Sequence, residues 1–90
     1  MELRSAAGDH RGAIAAWRGL VEEVQHTQRE PMAWQHFGKA LFAAGQWGEA
    51  RLAFAVALEL REDAGAPADQ IASSRLGYDR ARDLQAFEPS

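Results

Sequence analysis

The chain contains no cysteine and no asparagine, a single lysine, three prolines and no long apolar run. Without thiols there are no disulfides and no thiolate-held metal sites, and a cytoplasmic setting is the default expectation. No segment approaches the roughly 20 continuous apolar residues that span a bilayer, and the residues behind Met1 lack the apolar stretch of a secretory signal. The net charge of -3 argues against a general nucleic-acid surface. Neither nucleic acid nor membrane is therefore expected as a partner. Arginine supplies all the basic residues except Lys39, which reads as compositional bias and not as a site.

What the sequence does have is apolar residues at helical spacing. They make up 47% of 90 residues, with 26% charged, an ordinary globular balance at a size where the core is thin. Trp34, Phe37, Gly38 and Leu41 recur at three- and four-residue steps along one helix face. Ala50, Phe54, Ala57 and Leu58 do the same beyond a bend at Gly45 to Gly48. Small Gly38 and Ala50 let two backbones approach while Trp34, Leu41 and Phe54 fill the seam. The pattern is that of a tight helical hairpin.

The series Trp34, Phe37-Gly38 and Leu41, followed by Ala50, Phe54 and Ala57, resembles the tetratricopeptide repeat signature. Phe37 stands where the family has Leu, Leu41 where it has Tyr, and Glu62 where it usually has Pro. Without that proline the second helix is free to run on to Asp63 or Ala64. The resemblance covers one full repeat at about 31 to 61. It implies an all-α fold of antiparallel hairpins stacked as a short right-handed superhelix, and a protein-binding role.

Elsewhere the chain reads as copy or cap. Setting Gly8 against Gly45 aligns Ala13 with Ala50, Trp17 with Phe54, Leu20 with Ala57 and Val21 with Leu58, an offset of 37 residues. The excess over about 34 falls in Glu22 to Glu30, as an extended helix end and a polar connection. Residues 1 to 30 thus form a partial first repeat, with Met1 to Ala7 a remnant of its missing helix. Pro31 suits a first helical turn. Gly65 is the expected C-cap after residue 64, and Pro67 bars continuation. A capping helix is expected over 67 to 87 before a fraying tail. The four helices are expected at Asp9 to Gln25, Met32 to Ala44, Gly48 to Ala64 and Asp69 to Ala86, within one domain over 1 to 90. The last helix carries two candidate stripes: Ser73, Leu76, Gly77 and Leu84, or Ile71, Ser74, Tyr78 and Ala81. The first is favoured as the seam because Leu-Gly is the better packing pair.

No residue pattern assembles a catalytic centre. His10, His26 and His36 lack metal-ligand spacing and read as packing or surface residues. Ser73-Ser74 sit in no strained nucleophile turn. Gly38-Lys39 lies inside a helix, without the preceding glycine of a phosphate loop. No cofactor is expected.

A second line on the central hairpin's first helix runs Met32, Gln35, Lys39 and Phe42. The resemblance implies that such positions face a peptide-holding groove. Phe42 is either the edge of the core or a contact site. Arg75, Tyr78 and Arg82 extend the groove if Leu76-Gly77 is the seam, and with Lys39 they would favour an acidic peptide. The plainer reading pairs the arginines with Asp79 and Asp83 on a solvated face. The asparagine-assisted carboxylate clamp of some chaperone-binding relatives is not expected in a chain without asparagine. The leading expectation is a non-catalytic module that binds a protein or peptide. The alternatives are a self-associating homodimer, with Leu76, Leu84 and Phe87 at an apolar edge, or a piece of a larger regulator.

Overall fold

The computed structural model describes residues 9–87, and every regular element among them is an α-helix. α1 spans His10–Glu23, α2 Glu30–Ala43, α3 Trp47–Ala64 and α4 Ala68–Gln85. The all-helical expectation holds, and α3 does run on to Ala64. The expectations for Met1 to Ala7 and for Glu88 to Ser90 lie outside the described residues.

Local chemistry sets the boundaries. α1 stops at Glu23, short of the expected Gln25, because the chain turns through His26 at φ 66°. Glu30 closes that turn. Its carboxylate accepts the His26 backbone N–H at 3.0 Å and the Trp34 indole N–H at 3.1 Å. Thr27 reinforces it by donating its hydroxyl to the Val24 carbonyl at 2.6 Å. Pro31 lies in the first turn of α2, where its missing N–H costs nothing. Gly65, at φ 67°, ends α3 in a left-handed cap: the Ala66 N–H returns to the Arg61 carbonyl at 2.9 Å. Pro67 then opens α4.

α3 packs along both α2 and α4, α1 packs against α2, and α2 touches α4. Connections as short as Ala44–Gln46 and Gly65–Pro67 between helices lying side by side leave only antiparallel neighbours. α2 and α4 consequently run parallel to each other on α3. The Phe54 ring is wedged between Gly38 of α2 and Gly77 of α4. Burying such a ring contributes about 1.5–3 kcal/mol, and only glycine lets both helices come this close.

Phe37, Gly38, Leu41, Ala50, Phe54 and Ala57 are buried as expected. Ala13, Trp17, Leu20, Trp34 and Leu58 are only half-buried, at the edge of the core and not inside it. Trp34 stays at that edge because its indole N–H is tied to Glu30 at the surface. Ile14, Val21, Val24, Ala33 and Ala53 complete the interior.

The favoured stripe on α4 is overturned. Ser74 and Ala81 are fully buried, whereas Leu76 is 59% exposed and Ser73 is exposed. The competing stripe faces α3, since small side chains are what the close approach at Gly77 accommodates. Gly77 belongs to the contact in either case.

Candidate functional site

Parallel α2 and α4 leave a cleft of 350 Å³ between them, with Phe54 of α3 at its base. α2 contributes Gln35, Lys39, Phe42 and Ala43, and α4 contributes Ser73, Leu76, Gly77 and Arg80. The lining is apolar at Phe42, Phe54 and Leu76, cationic at Lys39 and Arg80, and free of carboxylates. The Arg80 guanidinium lies over the Phe42 ring, 5.9 Å from its centre, so the cation and the aromatic wall form one surface.

Below the cleft runs a chain of hydrogen bonds, buried at Ser74. Arg61 Nη1 donates to Ser74 Oγ at 3.0 Å and to the Gln70 carbonyl at 2.9 Å. Ser74 Oγ donates to Gln35 Oε1 at 2.7 Å, and Gln35 Nε2 donates to Ser73 Oγ at 3.4 Å. Both ends of the Gln35 amide are thereby engaged, and α2 is tied to α4. Burial pulls the Arg61 pKa below its ordinary value, with nearby Asp69 opposing the shift, but an arginine remains charged.

Of the residues expected in the groove, Gln35, Lys39 and Phe42 do line this cleft. Gln35 is only 5% exposed and acts as a tie under the cleft instead of a free donor. Phe42 lies at the edge of the core, half-buried, and also walls the cleft. Met32 lines a different pocket, beside Arg61. Arg75, Tyr78 and Arg82 do not line the cleft, which corrects that part of the expected groove. Arg75 pairs with Glu62 at 2.9 Å, and Arg82 pairs with Asp79 at 3.5 Å and Asp83 at 3.4 Å, as the plainer reading of a solvated face has it. Tyr78 packs on the core beneath Arg82. The cause is the rotation of α4: turning Ser74 and Ala81 inward turns Ser73, Leu76 and Arg80 toward α2. Arg80, Ser73 and Ala43 were missed, although Ser73, Leu76, Gly77 and Arg80 share one helix face.

The histidines are separate. His36 stacks on Trp17 with ring centres 4.9 Å apart and planes 14° apart. Burial first, then the charges of Lys39 and Arg61, hold its pKa below the ordinary value. Among the described residues no cluster of three or more His, Asp or Glu side chains is placed to hold a metal ion. No described helix is long and apolar enough to cross a membrane.

Comparison with protein-family models, with curated proteins and with solved structures returns no match. The fold and the cleft define a class and no more: an all-helical chain with an apolar slot, rimmed by cations, between two parallel helices.

Proposed function

We propose that the protein is a non-catalytic binding module that holds a segment of another protein in the α2–α4 cleft. The observation that carries this reading is the lining itself: apolar Phe42, Phe54 and Leu76 beside Lys39 and Arg80, with no carboxylate among them. Such a surface suits a peptide that pairs an apolar side chain with a nearby carboxylate. The sequence spacing of the α2–α3 hairpin, and a cleft on the side formed by α2 and α4, support a tetratricopeptide-like arrangement. In that arrangement residues 31–64 are one full repeat, 1–30 a partial repeat and 67–87 a cap, as a short right-handed superhelix. A cysteine-free chain also suits a reducing compartment, so the same reading puts the module in the cytoplasm.

The test is selection from a library of peptides rich in Asp and Glu, followed by affinity measurement on the winners. Phe42→Ala and Lys39→Glu are each expected to weaken binding about tenfold, near 1.4 kcal/mol, with helicity intact. Full retention of binding by both variants would refute the cleft as the site.

A homodimer is the second reading. Leu52, Leu76 and Phe87 are 62%, 59% and 82% exposed, which leaves apolar edges uncovered. Sedimentation showing only monomer at high micromolar concentration removes it.

A further inference from the structure

An exposed stripe runs along the second half of α4. Leu76, Arg80, Asp83 and Phe87 follow one another at steps of four, three and four residues, which puts them on one face of the helix. The face continues past the end of α4 at Gln85, because Ala86 keeps helical angles (φ -64°, ψ -20°) and the Phe87 N–H returns to the Leu84 carbonyl at 3.1 Å. All four side chains are exposed, Leu76 by 59% and Phe87 by 82%. The first two also line the α2–α4 cleft. Such steps make the seam of a helix pair, and here the second helix is absent among the described residues.

The order of the stripe points to what covers it. Leu76 stands four residues before Arg80 and Phe87 four after Asp83, so the stripe reads the same from both ends except that the charge changes sign. Laid antiparallel on a second copy, Leu76 meets the partner's Phe87 and Arg80 meets the partner's Asp83, and each pair recurs across the two-fold axis. Laid parallel in register, Arg80 would face the partner's Arg80 and Asp83 the partner's Asp83, and both pairs repel. Neither charge is firmly engaged within one chain. Arg80 forms no ion pair among the described residues, and Asp83 pairs with adjacent Arg82 at 3.4 Å, both side chains being more than half exposed. Nor can Phe87 enter the cleft of its own chain, since it lies about 16 Å beyond Leu76 along the same helix face.

We propose that two copies of this chain pair through antiparallel α4 helices, each seating Phe87 against its partner's Leu76 at the mouth of the partner's α2–α4 cleft. The proposal rests on the homodimer reading and gives it a surface, in which Leu52 on α3 takes no part. The apolar contacts supply the attraction, and the Arg80–Asp83 pairs set direction and register. A peptide entering the cleft must then displace the partner's Phe87.

The experiment is sedimentation equilibrium of the full chain and its variants, with circular dichroism to verify that each keeps its helices. Leu76→Ser and Phe87→Ser are each expected to weaken dimerisation by about tenfold or more, because every substitution acts twice across the axis. Arg80→Glu and Asp83→Arg are each expected to weaken it as well, by setting like charges opposite one another. An equimolar mixture of those two charge variants is expected to form a heterodimer near wild-type strength, since each copy presents the charge that the other lacks. No contact within one chain produces that rescue. A mixture that associates as weakly as its components overturns the pairing. Dimers undiminished in all four variants overturn it too and leave the homodimer reading standing through another surface, whereas a wild-type chain that stays monomeric at high micromolar concentration removes both.

Discussion

Gly77 of α4 sits so close to Phe54 of α3 that a Cβ placed on it would lie 2.7 Å from Cδ1 and Cε1 of the ring. The matching figure at Gly38 is 3.0 Å, whereas a Cβ on Gly19 meets nothing within 4 Å. Helix propensity alone favours Ala over Gly by about 1 kcal/mol at all these positions. The clash decides the sign at two of them. Gly77→Ala is expected to lower stability by about 1–3 kcal/mol, Gly38→Ala by somewhat less, and Gly19→Ala to raise it by about 0.5–1 kcal/mol. Urea unfolding of the three variants checks the order, and equal stability of Gly77→Ala and wild type would refute the close packing.

Acid is expected to weaken the fold in two windows. His36, stacked on Trp17, has its pKa held below the ordinary 6.5, chiefly by burial, so the folded state prefers the neutral ring. Its contribution is complete above the unfolded value and is lost as pH falls through the lower folded one. Glu30 has its pKa lowered from 4.5, first by the His26 backbone N–H and then by Trp34, and its contribution fades only as pH falls further. Melting midpoints measured against pH should show both steps. His36→Gln should erase the upper one alone.

Ser74 both accepts from Arg61 and donates to Gln35, so Ser74→Ala leaves Gln35 Oε1 without its donor and takes one of two acceptors from Arg61 Nη1. A loss of about 1–3 kcal/mol is expected. Adding Gln35→Leu to that variant should cost less than the two single losses combined, because one network is being removed. A double-mutant cycle in chemical denaturation measures the coupling, and strict additivity would mean the network is not shared.

Among the described helices α1 packs on α2 alone, while α3 is covered by two neighbours. Local opening is therefore expected to begin at α1. Amide hydrogen exchange should find weaker protection over His10–Glu23 than over Trp47–Ala64. Equal protection across both helices would indicate one all-or-none unit.

The α2–α3 hairpin was legible because Trp34 to Leu41 and Ala50 to Ala57 repeat at helical steps and Gly45 marks the bend. α4 was harder. Hydrophobicity puts Leu76 inside, but the approach of α4 to Phe54 admits only Gly77, Ser74 and Ala81, and Leu76 is turned toward the cleft. Ser73 and Leu76, assigned to the seam, thus line the cleft instead. Gln35 read as groove-facing and Arg61 was given no role, since only their mutual contacts through Ser74 make their burial tolerable. One signal for Arg61 was present: it continues the stripe Ala50, Phe54 and Ala57 by one more helical step.

Phe54 is at once the spacer between two glycines and the base of the slot. Mutational drift therefore has little freedom to reshape the depth of that slot, because any change there is felt by the whole molecule. Lys39, Leu76 and Arg80 are exposed, so changes there alter the lining of the slot without disturbing the interior.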